Sequence, residues 1–598
     1  MDMLKQSIGM GMLLMAGHAF SAEITVTTTD DVVKDDKECS LREAIEYINK
    51  GMPEAGYNGC GGKGAIASIL LEKQKTYKLD KKISLTAETN IKTTYDASFN
   101  DDSVPGLNNA IIEMTGSDQI FHIDDEKNTQ FKVSLKEITL KGCGASQCAD
   151  LGGIIYNNEL LSLEYVKLIN GNARLGGAIY NVGLAEEGKT AASLLNIQNT
   201  IFENNTATEG GAVYALAPSF AISMSLFKGN TSTSGGAIVF SKSGSIGETI
   251  TATVTNSTFF KNTGSALNLL DGLAVNNVSV VKNTAGIDFN ASKIAYLANS
   301  IILGNGTQDC RVTDATADKS VIYNNLMANS CNDLATEKVD NLNQIWNGAQ
   351  LFAGSDEGAC KTLSEDRESL FCPFSTPSNT FIGYLRPRIL LSYSTLFSSP
   401  ILNKGTTSAN GNEEHIYCES SDQRGKSRSA DDVWCDRGAI EIVVPTSISR
   451  LGQDIHPGEI AKFNILEQLG DSDLIPKEEC DAVMGKANPT GEPWQDGCLV
   501  IKQSTVSKGK MTLNLNGDVT YTPNGDWHGA DIFEVQIATS STRFNTDTSK
   551  NYLSAEVRIF QEPVNHMENK SVKTSGGALG WLSLTALFGL IGLRRYKK

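Results

Sequence analysis

Phe202-Glu203-Asn204-Asn205-Thr206-Ala207-Thr208-Glu209-Gly210-Gly211-Ala212-Val213 decides how this chain folds. It joins an apolar-x-x-Asn step to a Gly-Gly-Ala step followed by a β-former, and both steps recur nearby. The first stands at Ile169/Asn172, Phe202/Asn205, Phe227/Asn230, Phe259/Asn262, Val280/Asn283 and Ile302/Asn305. The second stands at Gly176-Gly177-Ala178-Ile179, Gly210-Gly211-Ala212-Val213 and Gly235-Gly236-Ala237-Ile238, with Gly152-Gly153-Ile154-Ile155 as an earlier, worn copy. The asparagines lie 33, 25, 32, 21 and 22 residues apart. A drifting period of this size marks stacked supersecondary units with insertions on one face. Each Asn is expected to turn the coil and bond neighbouring backbone groups. Each Gly-Gly-Ala is expected to let one coil approach the next at the ~4.8 Å strand spacing. The expected class is mainly β, a solenoid of parallel coils.

Composition agrees. A chain of 598 residues is too long for one compact core. With 7% aromatics and 55 glycines it suits a narrow core of Val, Ile, Leu and Ala with a turn on every coil. A net charge of −17 argues against nucleic acid, whose phosphates need Lys and Arg. That charge is compatible with a soluble extracellular protein or with Ca²⁺ binding, and selects neither. The twelve cysteines fall into close neighbours: Cys39/Cys60, Cys143/Cys148, Cys310/Cys331, Cys360/Cys372, Cys418/Cys435 and Cys480/Cys498. An even count in a secreted chain reads as disulfides, and sequential pairing suits stacked coils. No C-x-x-C spacing is present, so no metal-thiolate site and no cofactor are expected.

The two ends carry addresses. Lys5, an apolar run over 10–17 and Ala19-Phe20-Ser21-Ala22 read as a signal peptide over 1–22, cleaved after Ser21 or Ala22. At the other end Ser575-Gly576-Gly577 leads into a 16-residue apolar stretch, Ala578–Leu593, and then Arg594-Arg595-Tyr596-Lys597-Lys598. This order resembles the GlyGly-type C-terminal sorting signal of Gram-negative bacteria. The resemblance implies processing at Gly576-Gly577 by a rhomboid-like sorting protease, with Arg594, Arg595, Lys597 and Lys598 as the tail. It also implies export by type II secretion machinery to the cell surface, outer membrane or medium, after a transient stay of the C-terminal helix in the inner membrane. A permanent anchor is the alternative, since a short apolar helix with a basic tail fits both.

Between the ends, Glu23–Thr29 alternates as a strand, and Cys39-Ser40-Leu41-Arg42-Glu43-Ala44 follows. Ser40 and Glu43 form a capping box, and Leu41, Ala44, Ile45 and Ile48 give one apolar face, so a short cap helix is expected. Arg42 and Glu43 are read as cap and local ion pair. The string resembles the N-terminal motif of secreted bacterial right-handed β-helix proteins, which implies a right-handed parallel β-helix here. β-rich runs follow at 67–71, 76–79, 83–85, 111–114, 120–123 and 131–140. The repeat itself resembles that of chlamydial polymorphic outer-membrane proteins, although the chain has no room for an autotransporter barrel. Periodicity fades after Cys310. Asp422-Gln423-Arg424-Gly425 with Arg428, then Cys435-Asp436-Arg437-Gly438-Ala439-Ile440-Glu441, resemble the closing motif of the same β-helix proteins, with Arg437 and Ser427 departing from the usual residues. Asp422, Arg424, Asp436 and Glu441 are expected to seal the last coil as an ion-pair network, with a saccharide site as the minor alternative.

The expected β-helix spans 23–442. Residues 443–562 show strand patterns at sandwich spacing and resemble Ig-like and cadherin-like modules, with Asn516-Gly517 as a hairpin turn. Asp518, Asp526 and Asp531 are read as turn residues in preference to Ca²⁺ ligands. A linker covers 563–575 and the sorting segment 576–598. The acidic doublets Asp30-Asp31, Asp101-Asp102, Asp124-Asp125 and Asp431-Asp432 sit among loop residues as solvated turns, and no catalytic residue is singled out. The whole chain resembles the rhombotarget A group of sorting-protease substrates. The expected work is adhesion or binding, with a polysaccharide or host-surface ligand. A polysaccharide lyase or glycoside hydrolase on the same scaffold, and a permanently anchored structural protein, are the alternatives.

Overall fold

A computed structural model describes residues 22–561, except 95–103, 128, 145–146, 183–193, 217–218, 242–251, 271–273, 290–295, 313–320, 330, 332–341, 349, 408–415, 429–433, 444–450, 466–467, 469–472, 474, 490, 492, 495, 499, 502–505, 515–517, 526 and 545–552. The signal peptide up to Ser21, Asp101-Asp102, Asp431-Asp432, Asn516-Gly517, Asp526, the linker and the C-terminal segment with Gly576, Gly577, Arg594, Arg595, Lys597 and Lys598 lie outside the described residues. The chain divides into two units, Met1–Val444 and Pro445–Lys598.

The first unit is a β-helix of three parallel sheets, holding 11, 12 and 11 strands among the described residues. One coil shows the path. Leu160–Glu164 lies in the first sheet, Lys167–Ile169 in the third, and Asn172–Leu175 with Ile179–Asn181 in the second. Each strand then pairs in parallel with its equivalent one coil on: Leu163 with Ile197, Leu168 with Phe202, Ile179 with Val213. Because side chains alternate across a strand, fixed register stacks like on like. Ile69, Ile91, Leu135, Leu163, Ile197, Ile222, Val254, Val275 and Leu297 form one continuous buried column. Phe202, Phe227 and Phe259 stack face to face in another, with centroids 4.6 and 4.7 Å apart. Full burial of each side chain contributes roughly 1.5–3 kcal/mol.

The asparagines turn the coil as a column. Asn205, Asn230, Asn262 and Asn283 each donate from Nδ2 to the Oδ1 of the next, at 3.0, 3.0, 2.8 and 3.0 Å, ending at Asn305. Each also donates to a buried carbonyl of the preceding coil, as Asn230 does to Phe202 O at 2.9 Å. Asn172 is not a member. Register pairs Leu168 with Phe202 and Asn172 with Thr206, so Gly171 stands where the column continues, and its N–H donates to Asn205 Oδ1 at 2.9 Å. Close approach explains the Gly-Gly pair: a Cβ on Gly177 would lie 2.1 Å from Gly211 O, and Gly176 has φ +66°.

The N-terminal cap is the helix Leu41–Asn49. Glu43 N donates to Ser40 Oγ at 3.2 Å and Ser40 N to Glu43 Oε2 at 2.9 Å, while Leu41, Ala44, Ile45, Tyr47 and Ile48 are buried. Arg42 forks onto Asp31, with bonds of 2.6 and 2.9 Å, so this acidic doublet supplies an ion-pair partner. Two expectations about strands need correction. The run at 131–140 is two strands, Lys132–Lys136 and Ile138–Lys141, broken where Glu137 takes φ +56° at a corner. The coils also continue past Cys310 through Cys310–Val312, Val321–Tyr323, Leu326–Met327 and Gln344–Ile345.

The charged closing motif does not seal the last coil. It lies along the side of the solenoid, on the corner formed by Asn256, Asn277, Asn299 and Asn324, whose φ values of 45–58° turn successive coils. Arg428 Nη2 donates to Asn256 Oδ1 at 3.1 Å, Ala439 N to Ser279 Oγ at 3.0 Å, Gly438 N to Asn299 O at 2.8 Å, and Arg437 Nη2 to Asn324 Oδ1 at 2.7 Å. Within the motif Arg424 binds Asp422, Arg428 binds Glu441, and Asp436 accepts the N–H groups of Asn403 and Ile442. The network is a lateral strap across coils.

All twelve cysteines pair, as Cys39–Cys60, Cys143–Cys148, Cys310–Cys331, Cys360–Cys372, Cys418–Cys435 and Cys480–Cys498. Among the described residues the second unit has two sheets, one of four strands and one of three. Its core gathers Leu451, Ile455, Val519, Tyr521, Phe533, Val535 and Ile559. Asp531 is no turn residue: it is buried in the strand Gly529–Ile537 and accepts from Ser507 N, Lys508 N and the Tyr521 hydroxyl. Asp518 accepts from Asn464 Nδ2 at 2.8 Å. Among the described residues no helix is long and apolar enough to cross a membrane.

Candidate functional site

Three-residue strands of the second sheet place one side chain outward between two inward ones. In Phe121-His122-Ile123, Ile155-Tyr156-Asn157, Ile179-Tyr180-Asn181 and Val213-Tyr214-Ala215 the middle residue faces out. Register aligns His122, Tyr156, Tyr180 and Tyr214 on consecutive coils. Their rings stack with centroids 4.5, 5.9 and 5.6 Å apart and interplanar angles of 9°, 21° and 12°. Such stacking is worth about 0.5–1.5 kcal/mol per pair. It fixes the rings side by side, with His122, Tyr156 and Tyr214 half-buried and Tyr180 only 9% exposed.

The inward neighbours hold the row in place. Asn157 Nδ2 donates to Asn181 Oδ1 at 2.6 Å and to Glu159 O at 2.8 Å. Gly152, Gly176 and Gly210, all with φ between +65° and +67°, make the corner that leads into each outward Tyr. The Tyr156, Tyr180 and Tyr214 hydroxyls have no hydrogen-bond partner among the described residues, and partial burial pushes their titration above the ordinary phenol range. They stay neutral and can both donate and accept. Burial lowers the His122 titration. In the amide orientation that satisfies both sides, Gln119 accepts from His122 Nδ1–H at 2.9 Å and donates to Leu151 O and Gly152 O. His122 Nε2 is then the lone-pair nitrogen of the ring.

Beside the His122 end, Asp124, Asp125 and Glu159 bring carboxylate oxygens within 4.8 Å of one another. Oxygen donors at this spacing are the kind a hard cation takes. The residues already have uses for them: Asp124 accepts from Glu126 N, Asp125 from Lys127 N, and Glu159 from Phe131 N. Glu159 is 1% exposed, and burial pushes its carboxyl up to about 7, with Asp125 and Asp124 adding to the shift. Asp124-Asp125 is therefore more enclosed than a solvated turn, and Glu159 joins it from the next coil.

The Gly-Gly-Ala string and the β-former after it end one residue short of the row. The signal was present: Gly-Gly-x-x-Tyr occurs at Gly152–Tyr156, Gly176–Tyr180 and Gly210–Tyr214. Of the charged residues singled out beforehand, Asp422, Arg424, Asp436 and Glu441 come together in the lateral strap.

Comparison with known proteins gives one local match. The family model described as the Chlamydia polymorphic membrane protein (Chlamydia_PMP) repeat matches residues 199–216. That span is part of one coil, holding its third-sheet strand and its two second-sheet strands. It runs from the corner at Asn199 through Asn205 and Gly210-Gly211 to Tyr214, so it carries the turning Asn, the close-approach glycines and one member of the row. No curated protein and no solved structure matches the chain. Six disulfides and a repeat found in a membrane-protein family together indicate an exported or surface protein.

Proposed function

We propose that this chain is an exported binding protein, displayed at or released from a Gram-negative cell surface, whose contact surface is the outer aromatic row. The observation that carries this reading is the row itself: an imidazole and three neutral phenol hydroxyls that bond to no described group, held at coil spacing. Aromatic side chains with a polar tip and few rotamers are the residues that binding surfaces favour. A saccharide chain or a protein surface at a host or a solid substrate fits such a strip. The second unit, which resembles Ig-like and cadherin-like modules, serves as the stalk. Gly576-Gly577 is the point at which a rhomboid-like protease removes the C-terminal segment, and type II machinery carries the product out.

Two experiments test this. The purified mature protein and a Tyr156→Ala/Tyr180→Ala/Tyr214→Ala variant are applied to a panel of insoluble polysaccharides and extracellular-matrix proteins. Retention of the native chain on at least one support, weakened tenfold or more in the variant, is expected; equal retention of both sinks the proposal. For the processing step, the intact mass of the exported protein should lack Trp581 to Lys598. A mass that includes them establishes a permanent anchor.

A further inference from the structure

A second, separate site lies on the outer face of the first sheet. The strands Ala65–Glu72, Thr89–Thr94 and Lys132–Lys136 floor an open cleft of about 660 Å³, a volume in the usual range for ligand pockets. Register puts Asn90 beside Ser134 and Lys92 beside Lys136 on successive coils. Lys92, Lys132 and Lys136 line the recess together with Glu23, Glu88 and Glu137, so its formal charges balance on a chain of net charge −17. Like charges directly opposite one another are unfavourable. Here Glu23 holds Lys92 at 2.7 Å and Glu164 holds Lys136 at 3.1 Å. Lys132, exposed on the same strand and lining the same cleft, has no ion-pair partner among the described residues.

Glu137 closes the wall. It is 7% exposed, and its Oε2 is buried with no hydrogen-bond partner among the described residues. Its backbone has φ +56° at the corner where Tyr165, Asn199, Met224, Asn256, Asn277, Asn299 and Asn324 turn the later coils. Asn tolerates that conformation cheaply, whereas a longer side chain carries a cost of roughly 1 kcal/mol. The corner itself is common to every coil; a glutamate there that is buried and short of one donor is what marks a site. Burial also raises its carboxyl above the usual range.

We infer that this cleft binds an acidic sugar. A ligand that completes it must bring an anion to Lys132, with Lys136 adjoining. It must also offer a hydroxyl that donates to Glu137, and further hydroxyls for Asn90 and Ser134. A carboxylate on a polyhydroxylated ring, a uronate, supplies all three. A simple phosphate supplies only the anion. The inference goes beyond the aromatic row and does not rest on it, since the row lies on a different sheet.

The test is calorimetric titration of the mature full-length protein with trigalacturonate, monomeric galacturonate and the uncharged trimer maltotriose. Saturable binding of a galacturonate, at least tenfold tighter than maltotriose and weakened by added salt, is expected. Preference for the trimer points to a polysaccharide source, and equal affinity for the monomer to a free sugar acid. Lys132→Glu, an exposed substitution that leaves the urea midpoint in place, should weaken binding tenfold or more. Glu137→Gln, which keeps the shape but replaces an acceptor, should weaken it several-fold. No heat with either galacturonate, equal affinity for maltotriose, or an unchanged Lys132→Glu affinity overturns the assignment. The variant lacking the three tyrosines should bind galacturonate as the native chain does, which keeps the two proposals separable.

Discussion

Two columns of repeated residues run along the solenoid, and they differ in what they leave over. The inner column, Asn205 to Asn305, is buried, and each amide gives its hydrogens to a main-chain carbonyl and to the next Asn, or at Asn305 to Asp309. The outer row, His122 to Tyr214, is equally regular, yet its phenol hydroxyls bond to nothing described. Repetition alone therefore says little about function in a solenoid. What separates scaffold from contact surface is whether the repeated polar groups are already satisfied within the fold.

The largest expected effect falls on the inner column. Asn230→Leu keeps the volume but removes the acceptor for Asn205 N and Nδ2, and the donor for Phe202 O and Asn262 Oδ1. Several buried polar groups lose partners at once, so the cost should be about 4 kcal/mol, more than a single hydrogen bond is worth. Urea unfolding of the mature protein measures it. A loss below about 1 kcal/mol would show that the column is incidental to coil stacking.

How much of this contrast was legible beforehand follows from the same residues. The apolar-x-x-Asn spacing and the Gly-Gly pair were readable because stacking forces them into fixed positions. Asn172 misled for a local reason: Leu168 and Ile169 are both apolar, and Asn170 and Asn172 flank Gly171, so the string allows two registers. Only pairing with Phe202 chooses between them. The closing motif misled for a non-local one. Asp422, Arg424, Asp436 and Glu441 come late in the chain, and order in sequence does not say that a segment returns along the side of earlier coils. The cleft with Glu137 was hidden because the run at 131–140 reads as one strand, and the corner within it has no Gly or Asn to announce it.

An intermediate effect is expected where the outer row meets the acidic cluster. Glu159 titrates at about 7 in the folded chain, above its ordinary value, because it is buried beside Asp125 and Asp124. A carboxyl raised on folding stabilises the native state below its unfolded pKa, and that contribution is lost as pH climbs through the folded one. The loss thus runs from below pH 5 to about pH 7. Glu159→Gln should raise stability at pH 8 by about 1–2 kcal/mol and change it little at pH 5. Thermal melts of both proteins at the two pH values check this. An equal change at both would show that the carboxyl titrates normally, and the row would then end beside an ordinary acidic turn.

The smallest effect on folding should come from the outer row, and this sharpens the contrast most. Tyr156→Phe, Tyr180→Phe and Tyr214→Phe keep the stacked rings, with their centroids 5.6–5.9 Å apart, and remove only hydroxyls that bond to no described group. Each should move stability by no more than about 0.5 kcal/mol, the usual range for surface changes away from special features. Retention on whichever support binds the native chain should nonetheless fall, because the donors and acceptors that distinguish the row from a plain apolar stripe are gone. Urea midpoints and retention measured on the same triple variant separate the two quantities. Unchanged stability with lost retention fits a contact surface built on a self-sufficient scaffold. Lost stability with unchanged retention would make the row a second structural column, turned outward.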